Sequence, residues 1–185
     1  MKTLFRLVIL AILSLPLQAD TGLDNSITLE AKNSVDKAVK YLMSKQNDNG
    51  SWGPYGGMPS ITALSATSIA TSAEAAKYPK QLAKAEAYLL SFAQADGSIW
   101  QPGDKGYPNY TTSVATVALY VINKEKNKDI ILKSRKWLKK GQFTETTGST
   151  PLEAGGIGYG SDTTKSDLSN TQMALEALFV THDIE

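Results

Sequence analysis

The side chains able to do chemistry in this 185-residue chain are few and scattered. Asp162 and Asp167 stand five positions apart, and either could act as a general acid only if burial beside the other raised its pKa. The competing role for Asp167 is a charge at a helix start, where the helix dipole favours an anion. GGIGYG, from Gly155 to Gly160, is rich in the residue that cradles phosphates, but its glycines do not fall in the G-x-G-x-x-G order and no strand-like run precedes it. That argues against a dinucleotide site and for a tight loop. His182, the single histidine, lies in the terminal THDIE stretch and reads as a solvated residue. Trp52, Tyr55, Trp100 and Tyr107 lie in turn-rich stretches where rings could face a sugar. The chain has no cysteine, which excludes disulfides, thiolate catalysis, a lipoprotein anchor and any zinc site that needs sulfur. Neither a cofactor nor a metal is expected.

Composition sets the outer bounds. With 42% apolar and 20% charged residues the chain is ordinary globular material. A net charge of +1, with lysines spread along the sequence, offers no basic stripe for a phosphate backbone, so no nucleic-acid partner is expected. Residues 1–19 have Lys2 and Arg6 as a positive front, an apolar run from Leu7 to Leu13, and Ser14, Pro16 and Ala19 as an exit. The run is well short of the ~20 residues that span a bilayer and predicts a secretory signal ending at Ala19, hence a periplasmic or secreted protein. Residues 20–185 form the expected domain.

The elements that would position any site come from an internal pattern. QNDNGSWG, from Gln46 to Gly53, returns as QADGSIW from Gln94 to Trp100, and each follows an amphipathic stretch. Val35, Val39, Leu42 and Met43 make the first apolar stripe, Leu82, Ala85, Leu89 and Phe92 the second, and Ile130, Trp137 and Leu138 the third. Ser60 is the expected N-cap of a helix of small residues through Ala76, a helix apolar nearly all round is expected over Thr112 to Ile122, and Ser169 with Gln172 predicts a capping box for a helix over Asn170 to Val180. Tyr41-Leu42, Tyr88-Leu89 and Trp137-Leu138 recur at spacings of 47 and 49, and Thr62, Thr112 and Thr171 at 50 and 59. A period of this size predicts stacked helical pairs over about 25–78, 79–127 and 128–182, each an outer half-exposed helix and an inner buried one. Gln46, Gly50 and Trp52, with Gln94, Gly97 and Trp100, then read as structural: glycine permits the turn and the indole covers a helix end. Ligand contacts are expected instead at the inner-helix starts, Thr62, Thr112 and Thr171, and in the loops before them. The run Lys133, Lys136, Lys139 and Lys140 reads as the solvated side of an outer helix.

AVKYLMSKQNDNGSWG, AEAYLLSFAQADGSIW and GGIGYG followed by DLSNTQMALEAL together resemble the prenyltransferase and squalene-oxidase repeat of the terpenoid cyclase and protein prenyltransferase superfamily. The Gln-to-Trp stretch is similar to the QW motif of squalene-hopene cyclases. The resemblance spans about Asn33 to Phe179 and implies an all-α fold, an α/α toroid of concentric helices round a cavity for an isoprenoid chain. It also places Tyr159 near the mouth of that cavity, with Tyr55 and Tyr107 in the loops as further lining candidates. Two features depart from the family. Cyclases of this kind protonate a double bond from a D-x-D-D motif, which is not in this chain. Protein prenyltransferases bind zinc through an Asp, a Cys two residues later and a His; Asp167 takes the first place, but Ser169, a poor ligand, takes the second. Three hairpin repeats are also fewer than a closed toroid needs, so an incomplete ring or a fragment of a longer protein is expected. The resemblance therefore implies an exported repeat protein that binds or processes an isoprenoid-like apolar molecule. A non-catalytic scaffold for a protein or peptide and a polysaccharide-active α/α barrel are the alternatives.

Overall fold

A computed structural model describes residues 25–54, 56–102, 107–148, 150–160 and 165–184. The expected signal segment 1–19, Tyr55 and Asp162 lie outside the described residues. The chain divides into two units, Met1–Ser34 and Val35–Glu185. In the first, residues 25–34 are helical and solvent-exposed, with Ser34 Oγ donating to the Glu30 carbonyl at 2.8 Å.

The fold is all-α. Its six described helices are α1 (Asn25–Ser44, entering the second unit at Val35), α2 (Pro59–Ala70), α3 (Pro79–Leu90), α4 (Pro108–Asn123), α5 (Lys128–Lys140) and α6 (Leu168–Val180). Three of them, α2, α3 and α4, begin with proline in the first turn, where a missing N–H costs nothing. α4 therefore starts four residues before Thr112. α2 ends at Ala70 rather than Ala76 because the Ser68, Thr71 and Ser72 hydroxyls turn back onto the Leu64, Thr67 and Ile69 carbonyls, a local alternative to further helix. At α6 the cap is Asp167 rather than Ser169: its carboxylate accepts from Asn170 N at 2.8 Å. No helix among the described residues is long and apolar enough to cross a membrane.

α4 is the centre of the packing. It touches α2 on one side and α6 on the other, and α3 and α5 also pack against it. Small residues permit this: Ala63 and Ala66 on α2, Ala115 and Ala118 on α4, and Ala174 and Ala177 on α6 are all buried. The expected contrast between amphipathic and buried helices is seen at α4 but not at α6, where only Asn170, Ala174 and Ala177 are buried. α4 is buried from Thr111 through Leu119, whereas α3 and α5 each bury one stripe, Leu82, Ala85 and Leu89 in one and Ile131, Ser134, Arg135 and Leu138 in the other. In α5 that stripe is centred on Ile131 rather than Ile130, because the helix is covered on one flank by the Gly97 loop as well as by α4: Ser134 Oγ donates to the Gly97 carbonyl at 2.7 Å.

Each of α2, α4 and α6 is tied to the loop before it by the same pair of contacts. Thr62 Oγ1 accepts from Trp52 N at 3.0 Å and lies 3.4 Å from the Trp52 carbonyl. Thr112 does this to Ile99 at 2.9 and 3.4 Å, and Thr171 to Ile157 at 2.9 and 3.2 Å. Ile99 also forms an isolated antiparallel bridge with Ala93, and Ile157 forms one with Gln142.

The first two loops share their inner hydrogen bonds. Asn47 N donates to the Ser51 carbonyl and Gly50 N to Asn47, as Gln94 N donates to Ser98 and Gly97 N to Gln94. Asn49 and Asp96 each accept from the N–H and hydroxyl of the serine two residues on. This register sets Trp52 against Ile99 and Gly53 against Trp100, so the two indoles occupy different places. Gly50 (φ +90°) and Gly97 (φ +94°) press on the backbone of α3 at Lys84 and of α5 at Lys133, where an added Cβ would fall 2.5 and 2.6 Å away. Glycine is required there both for the left-handed conformation and for the contact.

Two buried charges complete the frame. Glu86 on α3 accepts from Asn127 Nδ2 at 2.7 Å and pairs with Lys126 at 2.5 Å. Arg135 on α5 donates from Nη1 to the Leu178 carbonyl and to Thr181 Oγ1, both at 2.8 Å, placing a cation at the C-terminal end of α6.

Candidate functional site

The three threonines expected to meet a ligand are engaged by loop backbone instead. Thr62 and Thr112 are fully buried and Thr171 is half-buried, and each hydroxyl is engaged by the peptide groups of Trp52, Ile99 or Ile157. The motif tryptophans are engaged too. Trp52 is buried, with Nε1 donating to the Leu42 carbonyl at 2.7 Å, and Trp100 is half-buried, with Nε1 donating to Ser98 Oγ at 3.1 Å. Gln46 Nε2 bridges the Gly50 and Gln81 carbonyls at 3.0 Å, and Gln94 Nε2 donates to Phe92 and Trp100.

Tyr107 and Tyr159 are brought together, their ring centroids 5.2 Å apart and both rings exposed. The GGIGYG loop makes this possible by lying directly on the start of α4. Asn109 N donates to the Tyr159 carbonyl at 3.2 Å, and Gly160 sits where a Cβ would strike Pro108 at 2.4 Å. Asp167 stands beside the pair. Its carboxyl is held below the ordinary 3.8 by the Asn170 N–H first, then by the Asn170 amide, with the Ser169 N–H and the Tyr159 hydroxyl adding to the effect. An anion so held is a helix cap and carries no proton for acid catalysis near neutral pH. His182 is exposed, its ring stacked on Phe179 and its Nδ1 2.8 Å from the Phe179 carbonyl. Among the described residues, no group of three or more His, Asp or Glu side chains stands together as a metal site.

A cavity of about 610 Å³ opens between the last turns of α5, the start of α4 and the two loops beside them. Its polar lining includes Asp96, Asn109, Lys136 and Lys140, and Trp137 and Phe143 supply aromatic surface. Burial pushes the Asp96 carboxyl up, but the Ser98 hydroxyl and N–H and the Trp137 indole outweigh it and keep the group below its ordinary value. Trp137 Nε1 donates to Asp96 Oδ2 at 3.1 Å. Asn109 is 2% exposed, and its Oδ1 is one of two buried side-chain atoms among the described residues with no hydrogen-bond partner; the other, Ser113 Oγ, lies one turn along α4.

Protein-family models, curated proteins and solved structures were all compared with the chain, and none matches. Of the residues singled out in the sequence, Tyr107, Tyr159 and Asp167 come together, whereas Thr62, Thr112 and Thr171 each serve a separate loop. The cavity residues Asn109, Asp96 and Trp137 carried no site signal in the sequence. The only available hint was that the Lys run ends beside a tryptophan on one helix turn.

Proposed function

We propose that this chain is a helical repeat array of the α/α-toroid kind found in prenyltransferases and terpene cyclases, exported by residues 1–19, and that it binds an apolar isoprenoid-like molecule. The repeat reading is supported by the clamp that Thr62, Thr112 and Thr171 make on three loops. The ligand reading is carried by one observation: α2 and α6 leave Ile61, Leu64, Leu175 and Phe179 exposed, Phe179 by 76%. An isoprenoid chain offers the matching surface, branched and without hydrogen-bonding groups. Binding is the part of this reading that the chain's own residues support, since Asp167 is an ionised cap.

A fluorescent farnesyl analogue titrated into the full chain tests this. Saturable binding is expected, weakened about ten-fold by Phe179→Ser with the melting temperature unchanged. A signal that rises without saturation, or one indifferent to that substitution, rejects the reading.

A further inference from the structure

We infer that Tyr107 and Tyr159 are an oxidative modification site, at which a one-electron oxidant of the haem-peroxidase class joins the two rings by a carbon–carbon bond between their ortho positions. The pair has no residue in common with the exposed apolar set on α2 and α6 and does not rest on the isoprenoid reading.

The two rings already meet. Their centroids are 5.2 Å apart and their planes are tilted by 55°, so a small closing movement brings one ortho carbon of each ring together. The tilt suits the product, because the rings of a biaryl stand twisted about their common bond to keep the groups beside it apart. Tyr107 is 56% exposed and Tyr159 40%, which puts both rings within reach of an oxidant in solution. Their backbones are held in register: Asn109 N, two residues after Tyr107, donates to the Tyr159 carbonyl at 3.2 Å, and Gly160 is pressed against Pro108. A standing contact thereby replaces the chance encounter of two radicals.

Each phenol gives one electron to the oxidant and its hydroxyl proton to a base. For Tyr159 that base is in place, since its hydroxyl bonds to the Asp167 carboxylate, which passes the proton on to water. For Tyr107 the base is water itself. The two phenoxyl radicals pair their electrons in the new ortho-to-ortho bond. The hydrogen on each joined carbon then moves as a proton to its own phenolic oxygen, and both rings regain aromaticity. Two electrons and two protons leave the pair in all, and one hydrogen peroxide takes them up through the peroxidase haem as two waters.

Other tyrosines lack this arrangement. Among the described residues no second pair of tyrosine rings is in contact. Tyr41 has Lys45 Nζ 5.6 Å from its ring centroid, and Tyr120 has Lys124 Nζ at 5.8 Å. A cation over the ring opposes removal of an electron from it. The chain has no cysteine for a disulfide, and a bond between Tyr107 and Tyr159 would fasten the GGIGYG loop to the start of α4. It would close 52 positions of chain and so lower the entropy of the unfolded state.

The full chain, kept dilute, is treated with a haem peroxidase and hydrogen peroxide. The mass should fall by two hydrogens in a chain that still runs as a monomer under denaturing conditions, with the fluorescence of a biphenol. Digestion should yield a joined pair of peptides carrying Tyr107 and Tyr159, and the cross-linked monomer should melt higher than the untreated chain. Tyr107→Phe and Tyr159→Phe each keep a ring in place but form no phenoxyl radical, so either should lose the product. Tyr41→Phe, at a tyrosine 63% exposed, should keep the full yield. Cross-links found only between chains, a joined peptide holding other tyrosines, or a product that survives Tyr107→Phe would overturn the proposal. So would a cross-linked monomer that melts no higher than the untreated chain.

Discussion

Thr112 Oγ1 lies 2.9 Å from the nitrogen of Ile99 and 3.4 Å from its carbonyl oxygen, so one hydroxyl holds both polar groups of a buried loop residue. Thr112→Val keeps the side-chain shape and removes that hydroxyl, leaving the Ile99 N–H buried without a partner. Urea unfolding should show a loss of about 1–3 kcal/mol. Thr171→Val should cost less, since Thr171 is half-buried and water can replace part of the contact. A Thr112→Val protein as stable as the parent would show that the loop is held by something else.

The contact of Gly97 with α5 can be separated from its backbone conformation. Gly97→Ala places a Cβ 2.6 Å from the Lys133 backbone at φ +94°, and should cost about 2–5 kcal/mol from the left-handed strain and the overpacking together. Gly56→Ala, at φ +87° with nothing within 4 Å, should show only the strain, about 1–2 kcal/mol. Equal losses in the two variants, measured by the same denaturant midpoints, would remove the loop-to-helix contact from the account.

Arg135 offers a test of the buried cation at the end of α6. Arg135→Met preserves bulk but leaves the Leu178 carbonyl and the Thr181 hydroxyl without their donor, and a loss of about 2–4 kcal/mol is expected. Lys139→Met, on the exposed side of the same helix, should change stability by no more than about 0.5 kcal/mol. Calorimetric melts that shift equally for both substitutions would contradict the assignment.

Asp167 gives the pH dependence its sign. The Asn170 N–H and amide hold the folded carboxyl below its ordinary 3.8, so the ionised form belongs to the folded chain. The stability it supplies is complete above that ordinary value and disappears as the pH falls through it toward the lower folded value. Asp167→Asn should therefore be less stable than the parent at neutral pH, and the gap should narrow as acid unfolding is followed from about pH 5 to about pH 2. A gap that stays constant across this range would mean the cap is held by geometry alone.

How much of this was legible depends on how far each signal travels along the chain. The spacing of Thr62, Thr112 and Thr171 marks three equivalent helix starts, because a hydroxyl in a first turn and the apolar run after it are both local. What the hydroxyl binds is ten residues back at Thr62 and 14 back at Thr171, across loops of unequal length, and periodicity does not report it. Arg135 sits within a lysine run that reads as a solvated face, yet it is the one cation there turned to the core, because its partners are supplied by α6. Asn109 is an ordinary polar residue in the sequence. What it does comes from Asn170, 61 positions away, whose side-chain oxygen its amide meets, and from Asp167 behind it.

The two β-bridges frame intervals of different size: five residues separate Ala93 from Ile99, and 14 separate Gln142 from Ile157. Both intervals end on a residue gripped by a threonine, so the anchor points stay fixed while the length between them varies. The longer interval has a further fastening of its own, the Glu153 carboxylate accepting from Ser166 N at 2.6 Å, so a peptide grafted between the two anchors would keep its seat on the chain only if Glu153 were kept with them.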